Sequence, residues 1–391
     1  MTAVTTAQKW RNLGRAAGTG ALLLAAAGVA VLSLVTGFGD HNYADFHIFW
    51  RAGHDVLNGL TPYPHPAASE LRAQNQFVYP APAAVAMAPF ALLSLPVSAT
   101  VFLMLSILCL GASLWIAGVR DIRCFALAAG SLPVIQGVVM GTVTPILMLL
   151  LAIAWAKRDS TRWITGTAAA AVAIKVFVLP LGIWLVATRR LRATVAAVAA
   201  SALLLVAGWL VVGLHTAASY PHLLSSLTTV EGGYGYSLYA LALRAGASAT
   251  VAKLVSIAAV GALAALIFRA GRSHDRSGFA LAVVACLACS PIVWNHYFAL
   301  LIVAIAVLRP RLSWLWALAP AFWLVPNANH PAATWKIVGA QLACALVVAV
   351  AVRDTRRRAP AEPVAAPEPP AVEVLRVTHP AGAGRQPQAP R

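Results

Sequence analysis

The chain has 391 residues, of which 60% are hydrophobic and only 10% are charged; its formal net charge is +17 and its mean hydropathy is +0.77. Soluble globular proteins carry about 25% charged residues, so an ordinary soluble domain is excluded and an all-α polytopic membrane protein is predicted. Lysine and arginine occur in short clusters between apolar runs, which is typical of cytoplasmic loops rather than of a nucleic-acid-binding surface. The expected partner is therefore the lipid bilayer, and no nucleic acid is expected.

The distribution of basic residues predicts the orientation of the chain. Residues 1–15 are basic and are expected to form a cytoplasmic N-terminus. Of the 29 lysines and arginines, twenty fall in segments assigned to the inner face. This asymmetry predicts about twelve spans within residues 16–352, with both termini cytoplasmic, in the inner (plasma) membrane of the cell. Residues 353–391 are rich in proline and alanine and are expected to form a disordered cytoplasmic tail.

Two long polar stretches, residues 39–82 and 215–248, interrupt the apolar sequence and are expected to be exoplasmic loops. The apolar run 81–94 would reach only about 21 Å as a helix, against a hydrocarbon core of about 30 Å. It is therefore predicted to form a re-entrant or short helix after the first loop. Residues 163–187 are expected to form two half-length segments that turn at Lys175, because a single span would leave the following arginines outside.

Asp45 is the first candidate for chemistry because it lies in an apolar, aromatic setting, YADFHIFW, near the expected membrane surface. Partial burial there would raise the pKa of its carboxyl toward the range of a general base. Alternatively, Asp45 caps a helix that runs to about Leu57 by accepting backbone N–H bonds. Glu231 precedes two glycines in the second polar stretch and is expected to be solvated.

Four cationic or basic side chains are candidates for binding a phosphate or substrate. Lys175 is flanked by apolar sequence on both sides, which indicates function, although snorkelling to the interface is the alternative. His296 lies in SPIVWNHY at an expected outer turn, where it would bind phosphate or orient the base. Arg51 and Arg244 are weaker candidates, for which exposed interfacial charge is the alternative.

Several short motifs occur in a definite order: YADFHIFW (43–50), Gly59 followed by PY (62–63), FVYP (77–80), GTVT (141–144), AIKVF (173–177) and SPIVWNH (290–296). In this order and spacing the chain resembles glycosyltransferase family 87 over residues 16–352. The resemblance implies a GT-C-type glycosyltransferase fold with about twelve transmembrane helices. It departs from the family's usual motifs at three places: Tyr-Pro-Pro is YPAP, Gly-Gln-x-Asn is GTVT, and His-His is His296-Tyr297.

The resemblance implies an inverting transferase that moves a sugar, with mannose as the first expectation, from a polyprenyl-phosphate donor to a glycolipid or glycan acceptor on the exoplasmic face. It implies that Asp45 is the general base and that His296 lies near the donor phosphate or the acceptor, and Lys175 matches a recurrent family lysine. No metal or other cofactor is implied. The alternative is a membrane transporter or lipid flippase with Lys175 and His296 in a translocation path, but the sequence has no internal repeat of the kind that transporters usually contain.

Overall fold

The computed structural model describes residues 19–20, 43–63, 71, 76–325 and 332–357. Every regular element in these ranges is helical, as expected for an all-α polytopic membrane protein. The expected cytoplasmic N-terminus, most of the first span, and the tail beyond residue 357 lie outside the described residues. The last helix continues to Arg357, so the first five residues of the expected tail are helical, and Asp354 in this turn binds Arg309 at 2.7 Å.

The first half of the described chain contains eight α-helices in the ranges given above. They are α1 (Ala44–Leu57), α2 (Ala81–Ala91), α3 (Leu95–Ile116), α4 (Ile122–Ala129), α5 (Leu132–Val139), α6 (Thr144–Ala156), α7 (Thr161–Ile174) and α8 (Leu181–Ala187). A short 3-10 turn, Val176–Val178, lies between α7 and α8.

The second half continues with helices of more varied length. They are α9 (Leu191–Val212), α10 (Leu214–Glu231), α11 (Leu238–Arg244), α12 (Ala249–Ala270), α13 (Asp275–Cys289), α14 (Ala299–Leu308), α15 (Leu318–Ala321) and α16 (Thr334–Arg357). Three further 3-10 turns are Asn295–Phe298, Trp314–Ala317 and Phe322–Leu324.

Four of the described helices, α3, α9, α12 and α16, are long and apolar enough to cross a membrane. The count is five if α4 and α5, which are bent by 63°, form one broken span. Other apolar helices are only 10–17 residues long, including α2 and α6. The short helix expected after the first loop is thus present as α2, although it ends at Ala91.

Two breaks predicted from the sequence occur between short helices. Gly141 separates α5 from α6 with a φ of +67°, a conformation that glycine adopts without a steric penalty. Lys175 ends α7 in an extended conformation, with φ −156° and ψ 115°. The proline at position 180 then precedes α8 in a right-handed helical conformation, so the break in the chain lies at Lys175.

The second polar stretch, residues 215–248, is mainly helical, and its location on the exoplasmic face stays a prediction. Helix α10 covers half of it, and its buried residues include Leu223, Leu227 and Glu231, which are spaced four residues apart. Residues four apart lie on one face of a helix, so this face is buried against neighbouring elements. The two leucines pack with Leu71 in a small apolar cluster.

Helix α1 is held against α2 and the α5–α6 turn at very short range. A Cβ atom on Gly53 would lie 2.6 Å from the backbone of Met87 in α2. The indole N–H of Trp50 also donates to the carbonyl of Leu93, at 3.1 Å. Close backbone packing of this kind leaves no space for larger side chains, and it fixes α1 relative to α2.

Candidate active site

Asp45 lies in the first turn of α1, but it does not cap the helix. Tyr43 is the N-cap residue, with a left-handed φ of 56°, and it makes no side-chain cap hydrogen bond. The backbone N–H groups of Asp45 and Phe46 donate to the carbonyl of Met140, at 3.1 and 3.2 Å. Because the end of α5 satisfies these helix donors, capping is not the role of the Asp45 carboxylate. The alternative raised from the sequence is therefore wrong.

The ammonium of Lys175 is enclosed by two tyrosines. Its Nζ donates to the hydroxyl of Tyr79 at 3.2 Å and to the hydroxyl of Tyr297. It also lies 4.3 Å from the Tyr79 ring centroid and 3.9 Å from that of Tyr297, both within the range of a cation–π contact. These contacts fix the ammonium at the break between α7 and α8, so Lys175 is held within the protein at this point.

Asp45 and Lys175 interact electrostatically across a gap. Burial raises the pKa of the Asp45 carboxyl to about 6, and the positive charge of Lys175 opposes part of that rise. The two groups are nonetheless farther apart than the 4.0 Å limit of a salt bridge. Asp45 keeps part of its surface accessible. The two charged groups therefore lie near each other without forming a direct ion pair.

Glu231 is the second carboxyl of this cluster, and the sequence did not predict it. Its side chain is only 6% exposed, which corrects the expectation that it is solvated. Burial raises the pKa of Glu231 to about 7, and the nearby charge of Asp45 adds to the rise. The signal that was missed is the spacing of Leu223, Leu227 and Glu231 on one helix face.

His296 lies in the buried turn Asn295–Phe298, beside Tyr297, with only 3% of its surface exposed. Its Nε2 atom and the Oδ1 atom of Asn295 are buried without a hydrogen-bond partner in the described part of the protein. The Asn295 amide does donate to Gln136, at 3.1 Å. Buried polar atoms are nearly always paired, so unpaired ones next to a charged cluster indicate groups that a bound molecule would satisfy.

Tyr297 follows His296 in the buried turn Asn295–Phe298. Its hydroxyl accepts the hydrogen bond from Lys175, and its ring stacks on Phe177 at 5.4 Å. The charges of Asp45 and Glu231 both act on this hydroxyl. Tyr297 thus contributes a phenol that binds the lysine.

The two weaker arginine candidates have exposed side chains. Both Arg51 and Arg244 are exposed, the first in the middle of α1 and the second at the end of α11. The charge of Arg51 acts on Asp55 of the same helix. In the described ranges, no group of three His, Cys, Asp or Glu side chains could hold a metal ion.

The sequence model of glycosyltransferase family 87 matches residues 77–293, more than half of the chain. The chain belongs to glycosyltransferase family 87. Together with its membrane-spanning helices, this membership makes it a membrane glycosyltransferase. No curated protein and no solved structure matches the chain.

The family match covers only part of the site of this glycosyltransferase. Tyr79, Lys175 and Glu231 lie within residues 77–293, whereas Asp45 precedes the matched region and His296 follows it. Asp45 is joined to the matched region by its backbone hydrogen bond to Met140. Tertiary packing therefore brings Asp45, which lies outside the matched region, into contact with residues inside it.

Replacing Glu231 with Gln is expected to stabilise the glycosyltransferase at pH 8 and to leave its stability unchanged near pH 4.5. The pKa of this carboxyl rises from 4.5 to about 7 on folding. Its ionisation therefore destabilises the folded state increasingly as the pH rises through this window. The size of this pKa shift limits the increase in the free energy of unfolding at pH 8 to about 3 kcal/mol. Unfolding temperatures of both proteins in one detergent, at the two pH values, measure the effect.

Asp159→Asn is the matched control, because the Asp159 side chain is 82% exposed. It should show no such difference between the two pH values. Equal unfolding temperatures for wild type and Glu231→Gln at pH 8 would contradict the burial of an ionisable carboxyl at this position.

Proposed function

We propose that the chain is an inverting glycosyltransferase that moves a sugar from a polyprenyl-phosphate donor to a lipid or glycan acceptor. The sugar we propose is mannose. The observation that carries the proposal is the electrostatic interaction of the Asp45 carboxylate with the Lys175 ammonium, without a direct salt bridge, in a family 87 chain. A carboxylate with a pKa of about 6 is a competent base near neutral pH. A fixed ammonium opposite it suits a phosphate leaving group.

In the proposed reaction, Asp45 removes the proton from an acceptor hydroxyl as its oxygen attacks the anomeric carbon of the donor sugar. A new C–O bond forms to the acceptor while the C–O bond to the donor phosphate breaks. The phosphate leaves with the electron pair as an anion, so it needs no general acid. Lys175 stabilises that negative charge, and attack from the opposite side inverts the anomeric centre.

The buried groups around the pair are assigned to substrate binding. The unpaired His296 Nε2 and Asn295 Oδ1 atoms are suited to hydrogen bonds with sugar or phosphate oxygens and hydroxyls. Burial raises the pKa of the Glu231 carboxyl to about 7, and the charge of Asp45 adds to the rise, so a large fraction of Glu231 is protonated near neutral pH. A protonated Glu231 would donate a hydrogen bond to the substrate.

We assign the site to the exoplasmic face of the plasma membrane, in a GT-C-type fold of about twelve spans with both termini in the cytoplasm. The short apolar helices would complete the spans in pairs. Clusters of lysine and arginine follow the C-terminal ends of α6 and α8. Such clusters support a cytoplasmic location for these two helix ends, which are the ends farther from Lys175.

Transfer in proteoliposomes tests the proposal. Purified protein is mixed with synthetic polyprenyl-phosphate mannose, polyprenyl-phosphate glucose or a nucleotide sugar, together with a lipid extract as acceptor. We expect a glycosylated lipid or glycan from a polyprenyl-phosphate sugar and none from the nucleotide sugar. Transfer from the nucleotide sugar alone would contradict the donor class. Lipid scrambling or solute uptake without any transfer would favour the transporter instead.

Replacing Gly141 with Ala is expected to reduce both stability and transfer. A Cβ atom there would lie 2.5 Å from the Cβ of Phe46, next to Asp45, and the backbone has a positive φ. Left-handed backbone costs about 1 kcal/mol and overpacking about 1–3 kcal/mol more. A displacement of about 1 Å at the base would lower transfer by roughly 100-fold. Unfolding temperature and transfer rate are measured together.

Gly59→Ala is the matched control, because Gly59 has a φ of +69° but no neighbour within 4 Å of an added Cβ. It should lose about 1 kcal/mol of stability and keep the wild-type transfer rate. If both substitutions reduce transfer equally, contact between Gly141 and Phe46 does not position Asp45.

A further inference from the structure

A charged cavity lies beside the starts of α7 and α9, at the far end of the bundle from Asp45. It has a volume of about 330 Å³, and its lining includes Arg158, Asp159, Arg189, Arg190, Arg192 and Arg272. Helices α6, α7 and α13 each run from the neighbourhood of this cavity to the neighbourhood of the Asp45–Lys175 site. Lys175 follows the end of α7, whereas Thr161 at its start lines the cavity. These helices have 13–15 residues each, so the cavity and the Asp45–Lys175 site are about 20 Å apart.

Two of the arginines are occupied in holding the helices together. Arg158 and Arg190 bind the carboxylate of Asp275 at 3.0 and 2.8 Å, and the Trp184 indole donates to the same carboxylate at 2.7 Å. Arg190 also approaches Asp159 at 3.2 Å. These partly buried pairs join the start of α13 to α8 and to the segments before α7 and α9.

The other three arginines bring positive charge that these carboxylates do not neutralise. Among the described residues, no carboxylate lies within 4.0 Å of Arg189, Arg192 or Arg272. Arg189 is held at a φ of +56°, an uncommon conformation for a residue other than glycine. Several guanidinium groups around one cavity are the arrangement by which proteins bind phosphate.

Two helix N-termini add to this positive potential. The first three residues of α9, Leu191 to Ala193, line the cavity, as does Thr161 at the start of α7. Neither helix has a side-chain cap or an acidic residue in its first turn. The backbone N–H groups of a first turn lack intrahelical partners, and they favour an anion.

We propose that this cavity is a binding site for a phosphate anion, separate from the site that contains Asp45. The anion is either the headgroup phosphate of an anionic lipid or a soluble phosphate. Exposed apolar side chains beside the cavity favour the lipid: Leu191 is 58% exposed, Trp163 50% and Val195 69%. On a helix that crosses a bilayer, such side chains contact acyl chains, so the headgroup level would coincide with the arginines.

The test uses full-length protein, stripped of lipid in a neutral detergent. It is titrated with phosphatidylglycerol, phosphatidylcholine or inorganic phosphate, and binding is followed by native mass spectrometry and by unfolding temperature. We expect phosphatidylglycerol to bind and to stabilise the protein, and phosphatidylcholine to do neither. Stabilisation by inorganic phosphate without lipid would support the same site and identify a soluble ligand.

The double variant Arg189→Gln/Arg192→Gln should bind phosphatidylglycerol at least tenfold more weakly than wild type. It leaves Arg158 and Arg190 in place to hold Asp275, so the protein should fold normally. Arg162→Gln removes an exposed charge next to the cavity that does not line it, and it should bind as wild type does. Wild-type binding by the double variant, or an equal loss in Arg162→Gln, would overturn the proposal.

Discussion

Asp45→Asn should lower the rate of sugar transfer by about 10²–10⁴-fold while leaving the protein folded. Asparagine has nearly the same shape as aspartate, but it cannot accept the acceptor's proton. The carboxylate does not cap α1, whose first N–H groups are bound by the Met140 carbonyl, so no helix cap is lost. Single-turnover transfer in proteoliposomes measures the rate, and the unfolding temperature reports the fold.

Asp55→Asn is the matched control on the same helix. Asp55 lies ten residues farther along α1, where the charges of His54 and Arg51 act on it. It should transfer sugar at the wild-type rate. Near-normal transfer by Asp45→Asn, or a comparable loss in Asp55→Asn, would remove Asp45 from the role of base.

Lys175→Met should lower transfer by about 10²–10³-fold, the effect of losing one charge-stabilising group in an active site. Methionine has a long unbranched side chain that suits the space between the rings of Tyr79 and Tyr297, but it brings no positive charge to the departing phosphate. The loss should appear mainly in kcat, because the phosphate gains negative charge as the bond to the sugar breaks. Steady-state transfer against donor concentration separates kcat from KM.

Lys253→Met provides the control, because Lys253 is exposed on α12. Its kinetics should match those of wild type. Lys175→Arg should recover little activity, since a planar guanidinium differs in shape from the ammonium that the two tyrosine hydroxyls bind. A change in KM alone for Lys175→Met would assign Lys175 to ground-state binding of the donor.

Features with a local cause were predictable from the sequence. The end of α1 near Leu57, the short helix α2, the glycine hinge at Gly141 and the break at Lys175 all follow from short-range signals. Glycine permits a positive φ, and a lone lysine in an apolar run is costly within lipid. Such signals need no knowledge of which helices are neighbours.

Features that depend on distant partners were not predictable. Glu231 is buried because α10 packs its leucine face inward, and nothing in the adjacent glycines indicates this. Asp275 attracts Arg158 and Arg190, which are 117 and 85 positions away in the chain. The enclosure of Lys175 by Tyr79 and Tyr297 also joins residues that are 96 and 122 positions apart. Tertiary packing decides each of these contacts.

The pH dependence of single-turnover transfer tests the central claim most directly, because it reports the ionisation of the base. An Asp45 carboxyl whose pKa burial has raised to about 6 is mostly protonated at pH 5, so transfer should be slow there and should speed up as the pH rises through 6. We predict an acid limb near pH 6 in wild type that moves to higher pH in Lys175→Met, since the lysine charge lowers this pKa. A rate that stays constant from pH 5 to 8, or a limb that Lys175→Met leaves unmoved, would contradict the pairing of Asp45 with Lys175.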